Sequence, residues 1–201
     1  MVGPSKQFDQ QEALSKALNV FWNKGYEATS MQDLVASMGI NRASMYQTYG
    51  NKHALFVLSL DLYIRMSLSN IQKMTDTFVS ESDSSFDSLQ RVFETMIETG
   101  YKGEQNGCFI NNTAIELASH DPDIAKKIRQ FWIDFENIFT THIQHAIDNN
   151  EIDADTNAKQ ISSLLNINLQ GLMVKSKTSV TKDELLALVQ SLFDLVRHRT
   201  T

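Results

Sequence analysis

Residues 25–55 read GYEATSMQDLVASMGINRASMYQTYGNKHAL, and this stretch carries the signals of two short helices joined by a tight turn. Ser30, with an acidic residue three positions later, forms the pattern of a helix-capping box, and Gly39 stands where the first helix should end. Asn41 is a preferred N-cap residue for the second helix. The stretch therefore predicts a helix-turn-helix at about residues 31–50.

Apolar residues continue in helical rhythm on both sides of this stretch. Those between Ala13 and Trp22 predict a helix over about residues 9–24, and Asn51 can cap a long helix that leaves the head. Hydrophobic residues make up 42% of the 201 positions, and only 2 prolines and 8 glycines interrupt them. We therefore expect an all-α protein of about nine helices.

The expected division is a three-helix head at residues 8–68 and a helical-bundle body at residues 69–201. Helix 6 is expected from Cys108 to about Ser119. The last two helices are predicted at about 156–176, beginning at Asp155, and at about 182–198. A capping box of Thr181 with Glu184 marks the start of the last one.

Charge and composition limit the classes of function. The net charge is −6, but in the first 55 residues basic side chains outnumber acidic ones by one, so a DNA-binding surface is expected at the N-terminal end. No apolar run has the length of a membrane span and no signal-peptide core is present, so we expect a cytoplasmic protein without a membrane partner. Neither a His-Glu-x-x-His motif nor a nucleotide-binding glycine loop occurs, so no metal and no cofactor is expected.

The segment from Gly25 to Leu55 resembles the DNA-binding region of the tetracycline-repressor (TetR) family of transcriptional regulators. The resemblance rests on the Thr-Ser that opens helix 2, the glycine at the turn, the small residue, hydroxyl and tyrosine of helix 3, and the Asn-Lys before an Ala-Leu pair. It covers about residues 8–65. It implies a homodimeric repressor that binds a near-palindromic operator in double-stranded DNA and is released by a small-molecule effector.

Roles in DNA binding follow from the chemistry of the side chains. Arg42 can donate two hydrogen bonds to a guanine edge, while hydroxyl groups and Lys52 suit phosphate contacts. Tyr46 and Tyr49 have a second interpretation, as core aromatics of the head. The predicted DNA-binding residues are Ser30, Gln32, Arg42, Ala43, Ser44, Tyr46, Gln47, Thr48, Tyr49 and Lys52.

The body resembles, through Gly107-Cys108-Phe109-Ile110, a branch of the family with a Gly-Cys start to helix 6. Some members of that branch sense electrophiles or oxidants through the cysteine, and others bind small apolar molecules between helices. Ordinary core packing is the alternative for each aromatic. The predicted effector-pocket residues are Phe93, Met96, Cys108, Phe109, Asn112, Phe131, Trp132, Phe135, Asn166 and Gln170.

Cys108 is the single cysteine, and two interpretations of it remain open. At the start of a helix its thiolate would be stabilised, which predicts a redox or electrophile sensor. A buried cysteine that acts as a small hydrophobe is the alternative.

The last two helices carry more apolar surface than one neighbour covers, which predicts a dimer interface. The competing class of function is an all-α enzyme or small-molecule carrier that retains the head only as structure. Because Arg42 and Lys52 are both present, DNA binding is the favoured interpretation, and no enzymatic activity is expected.

Overall fold

In residues 8–102 and 106–197, the parts of the chain that the computed structural model describes, nine α-helices form and no strand does, which confirms the all-α prediction. The helices are α1 (Gln10–Lys24), α2 (Met31–Met38), α3 (Arg42–Tyr49), α4 (Lys52–Ser80), α5 (Ser85–Lys102), α6 (Phe109–Leu117), α7 (Pro122–Asp148), α8 (Ala158–Lys175) and α9 (Lys182–Arg197).

Local hydrogen bonds set most helix starts where the sequence predicts them. Thr181 and Glu184 form the expected box at α9, with the Glu184 carboxylate accepting from the Thr181 N–H at 2.8 Å. One predicted boundary was wrong, because Asn157, not Asp155, caps α8. Helix α6 starts at Cys108 as predicted, and this residue is an N-cap without a side-chain capping bond.

The head consists of α1, α2 and α3 with the first turns of α4. Helix α1 packs on α2 and α4, and α2 packs on α3. In the body, α5 and α7 pack against α4 and against each other, α8 packs mainly on α7, and α9 packs mainly on α5. Helix α4 runs unbroken through the predicted domain boundary at residues 68 and 69, so head and body share it.

Helix α4 is, among the described helices, the one whose length and composition would also suit a membrane span. It packs against α1, α5, α6 and α7, and Leu55, Phe56 and Leu60 on it are buried. A third of its most apolar window is buried in these contacts (33%).

A chain of aromatic rings joins the head to the body. Phe56 of α4 lies edge-on to Phe21 of α1, with ring centroids 5.0 Å apart, and 5.7 Å from Phe109 of α6. Phe109 in turn contacts Trp22 and Tyr63. A displacement of the body at these rings also displaces the head, because close-packed side chains do not deform independently.

Candidate nucleic-acid interface and internal cavity

The turn between α2 and α3 fixes how α3 is presented. Gly39 adopts the left-handed conformation, with φ 69° and ψ 26°, and its N–H donates to the carbonyl of Val35. Asn41 caps α3 by accepting from the Ser44 N–H at 2.8 Å. The capping box of Ser30 with the acidic Asp33 is also present. Both short helices therefore begin and end where local chemistry dictates.

One side of α3 packs into the head and the other faces outward. Met45 is buried, whereas Tyr46 is 51% exposed. We define the outer face of α3 as the exposed residues Arg42, Ala43, Tyr46 and Gln47, which follow helical spacing. Ser44 and Thr48 are half-buried at its edge. Gln32 and Ser30 are exposed at the start of α2.

Tyr49 belongs to the core of the head. It is 7% exposed, and its hydroxyl donates to the backbone carbonyl of Gln10 at 2.8 Å. Burial raises the pKa of this hydroxyl. Of the two interpretations of Tyr49, this geometry favours a core aromatic, and the phosphate contact stays a prediction.

Lys52 and Ser30 already have partners within the head. The Lys52 ammonium lies 4.4 Å from the centroid of the Tyr26 ring and donates to the Glu27 carbonyl at 3.4 Å. The ring and the carbonyl stabilise a cation that the start of α4 would otherwise disfavour. The Ser30 hydroxyl donates to Asp33 at 2.8 Å. A phosphate contact by either side chain would add to these interactions and is not needed to explain them.

A cavity of about 820 Å³ lies between the head and the body. Helices α1, α4, α5, α7 and α8 and the segment before α6 supply its walls. The predicted pocket residues that line it are Met96, Cys108, Phe131, Phe135 and Gln170.

The remaining predicted pocket residues are not among the residues that line this cavity. Phe93 is packed between Phe139 and Phe193, and Phe109 belongs to the aromatic chain at the junction. The side chains of Asn112, Trp132 and Asn166 are also not among the lining residues. Asn112 bonds to the Asn106 carbonyl and the Lys177 ammonium.

Much of the cavity wall was missed because α1 and α4 up to residue 68 were assigned only to the head, and the later part of α4 was not considered as a wall of the pocket. Tyr63, Met66, Asn70 and Met74 recur at helical spacing on one side of α4, and Trp22 lies opposite on α1. The signal that was available is the helical spacing of Tyr63, Met66 and Met74, with the single amide of Asn70 among them. The lining residues missed include Ser15, Leu18, Asn19, Trp22, Asn23, Tyr63, Met66, Ser67, Asn70, Ile71 and Met74.

The thiol of Cys108 lies at the cavity wall, 3.8 Å from the hydroxyl of Tyr63. Burial raises the pKa of this thiol more than the N–H groups of Asn111 and Ile110 lower it. The thiolate is therefore disfavoured, which is the opposite of the premise for a redox sensor. Cys108 is half-buried, and this environment favours an unreactive thiol over a sensor.

Two polar contacts hold the head on the body beside the cavity. The Glu116 carboxylate accepts from the N–H groups of Tyr26 at 2.9 Å and Glu27 at 2.8 Å. The Trp22 indole N–H donates to the carbonyl of Gly107 at 3.0 Å. Among the described residues no group of three His, Cys, Asp or Glu side chains is placed to hold a metal ion.

Helices α8 and α9 carry a line of exposed apolar side chains on the outside of the body. Ile167 is 69% exposed and Leu195 is 72% exposed. We call this surface the α8–α9 apolar face; its residues are Leu164, Ile167, Val174, Leu188 and Leu195.

Comparison with known proteins gives matches over most of the chain. Residues 13–57 match the family model of "Bacterial regulatory proteins, tetR family", and residues 86–192 match that of "Tetracyclin repressor-like, C-terminal domain". The chain is 29% identical over 186 residues to the uncharacterized HTH-type transcriptional regulator YezE of Bacillus subtilis, covering 92% of this chain and 94% of YezE.

A second relative is the HTH-type transcriptional repressor ComR of Escherichia coli, 25% identical over 195 residues, with 92% of this chain and 88% of ComR covered. Among solved structures, a cysteine mutant of the TetR family regulator CifR in complex with double-strand operator DNA superposes with a TM-score of 0.82. It is 22% identical, and 96% of this chain and 98% of that chain are covered. At this identity the superposition is evidence for a shared fold.

Proposed function

Because the chain belongs to the TetR family of bacterial regulatory proteins, we propose that it is a homodimeric repressor that a small molecule releases from its operator. It is a DNA-binding transcriptional regulator, as are the curated relatives that it matches over nearly their whole length. The proposed parts are homodimerisation, release by an effector, the roles of individual residues and action in the bacterial cytoplasm.

The outer face of α3 is the observation that carries the proposal. Its N-terminus is exposed, and a helix presented in this way can enter the major groove of DNA. Arg42 forms no ion pair with any residue that the structure describes, so its guanidinium is available for a guanine edge. Gln32, Ala43, Tyr46 and Gln47 are the further candidates for base contacts.

Residues around this face are suited to the phosphates. Ser30, Ser44 and Thr48 offer hydroxyl groups near helix starts and groove edges, and Lys52 offers a cation. These contacts fix the position of the head on the duplex and do not discriminate between sequences.

A dimer explains the α8–α9 apolar face. Ile167 and Leu195 are large apolar side chains that stay exposed on the last two helices, and exposed apolar surface of this kind is typical of an interaction site. A two-fold contact through this patch would present two copies of α3 to a near-palindromic site.

Release by an effector follows from the place of the cavity. Leu18 and Trp22 of the DNA-binding head line it, so a molecule that fills it contacts the head directly. The heads can take one arrangement that fits DNA and another that does not. A ligand that binds the second arrangement more tightly by about 1–3 kcal/mol lowers operator affinity roughly 5–150-fold. The cavity alone would equally suit an all-α carrier protein, so DNA binding is the property to test.

The test is selection of DNA from a random library by the purified protein, followed by fluorescence anisotropy on the selected sequence. We expect a near-palindromic motif that is bound by two protomers. Arg42→Ala and Gln47→Ala, two single variants of the outer face, should each bind the selected sequence with reduced discrimination against random DNA. Failure to enrich any sequence, or enrichment of a single half-site by a monomer, would contradict the proposal.

A further inference from the structure

The lining of the cavity between head and body changes from apolar in the interior to polar toward the solvent. Among the described lining residues, four of the five exposed side chains carry an amide or a hydroxyl group, and no lining side chain is charged. The exposed residues mark where the cavity opens, so the opening is polar but uncharged. The buried lining residues, all of them apolar, are Leu18, Ile71, Phe131, Phe135, Leu169 and Met173.

Three helices place polar side chains without a partner at this opening. Asn19 of α1, Asn70 of α4 and Thr99 of α5 are exposed and line the cavity. None of the three side chains forms a hydrogen bond with a residue that the structure describes. Asn23, in contrast, already accepts from the Asn106 amide. We call Asn19, Asn70 and Thr99 the rim; its two amides and one hydroxyl can both donate and accept hydrogen bonds.

The surroundings of Asn70 differ from those of an exposed amide outside the cavity. On the surface of α7, Gln130 donates to the carboxylate of Asp134, one helical turn further on, at 2.9 Å. The positions one turn before and after Asn70 are Met66 and Met74, which line the cavity and can make no such bond. The Asn70 amide is therefore a polar group within an apolar wall, and it is available to a ligand.

The two ends of the cavity call for two kinds of chemistry in one ligand. The interior stabilises an apolar chain, and the rim matches a group that both donates and accepts. A charged group would lose hydration here without gaining an opposite charge. We propose that the cavity binds an uncharged amphiphile, with its apolar chain among the buried residues and an amide or alcohol headgroup at the rim. This inference rests on the proposed function only in taking the cavity as the effector site.

Isothermal titration calorimetry with probes that share an eight-carbon chain tests the ligand chemistry. The probes are N-octylacetamide, which is neutral, octylammonium, which is a cation, and nonanoate, which is an anion. We expect N-octylacetamide to bind about tenfold or more tightly than either ion. N-hexylacetamide, which is two methylene groups shorter, should bind about tenfold more weakly than N-octylacetamide, because less apolar chain is buried.

A charge placed at the rim then locates the headgroup. Asn70→Asp keeps the size of the side chain and adds a carboxylate, so affinity for octylammonium should rise relative to nonanoate by about tenfold. Ser69→Asp is the matched control. It adds the same charge at the neighbouring exposed position of α4, which does not line the cavity, so the ratio of the two ions should change little. Both positions are exposed, so neither variant buries a charge in the fold.

Undetectable binding of N-octylacetamide would overturn the inference, and so would equal binding of an ion, no effect of chain length, or equal shifts in Asn70→Asp and Ser69→Asp. Anisotropy on the selected DNA, with and without N-octylacetamide, keeps this result separate from the proposed function. If N-octylacetamide binds with the expected dependence on residue 70 but DNA stays bound, the ligand chemistry stands and release by this ligand fails.

Discussion

The carboxylate of Glu116, in α6 of the body, accepts a hydrogen bond of 2.9 Å from the backbone N–H of Tyr26, just after α1 of the head. Gly25 makes this approach possible. Its φ is +81°, and a Cβ at that position would lie 3.0 Å from a Glu116 carboxylate oxygen. The loop after α1 needs glycine at position 25 so that the Glu116 carboxylate can approach it, and the carboxylate in turn holds that loop. Together they fix the head relative to the body.

Glu116→Gln is expected to loosen this contact. The amide keeps one acceptor oxygen but replaces the other with an NH₂ group that opposes the N–H of Tyr26 or Glu27. We expect the free energy of unfolding to fall by about 1 kcal/mol, together with weaker operator binding, because the head is held less firmly. Urea unfolding followed by circular dichroism gives the first quantity, and anisotropy gives the second.

Lys126→Gln is the matched control, because it also introduces a glutamine but does so at an exposed position of α7. If Glu116→Gln unfolds at the same urea concentration as this control and binds DNA equally well, the contact does not fix the head.

Arg42→Ala is expected to reduce the discrimination between the selected operator and random DNA. The loss on the operator should be about 1–3 kcal/mol, because a bidentate contact to guanine is removed. Lys52→Ala should instead weaken binding to all sequences and lower the slope of log affinity against log salt by about one. Anisotropy titrations at several salt concentrations distinguish the two. An equal loss on operator and random DNA would assign Arg42 to the phosphates.

How much of the protein the sequence predicts depends on how local the determining contacts are. The helix-turn-helix was predictable because Ser30 and Asn41 cap helices through atoms three residues away. The cavity was only partly predictable, since its walls come from five helices. Phe93 illustrates the limit: its apolar helix position is clear, but only its contact with Phe193 of α9 shows that it faces the core and not the cavity.

Ile167→Glu is expected to separate the proposed dimer without unfolding the protomer. The side chain is 69% exposed in the isolated chain, so a carboxylate there remains hydrated unless a partner covers it. In a dimer it would be buried without an opposite charge, and we expect association to weaken about a hundredfold or more. Sedimentation velocity measures the change.

The matched control is Ile115→Glu, on α6 at 75% exposure and outside the α8–α9 apolar face. It should sediment as the wild type does. A wild-type dimer that persists in Ile167→Glu and Leu195→Glu would place the interface elsewhere on the body.

Alkylation of Cys108 distinguishes the two interpretations of its thiol, and its dependence on pH has a defined sign. N-ethylmaleimide reacts with the thiolate, and burial raises the pKa of this thiol above its ordinary value. The rate should therefore be lower in the folded protein than in the urea-unfolded chain at the same pH. It should also still be rising at about pH 10, where an ordinary thiol with a pKa of about 8.5 is nearly fully ionised. Since Cys108 is the single cysteine, intact-mass spectrometry reads its modification without background, and Cys108→Ser should show none.

Ligand binding should slow the reaction further, because the thiol lies at the wall of the cavity. A rate that levels off below neutral pH in the folded protein would instead indicate a stabilised thiolate and restore the sensor interpretation.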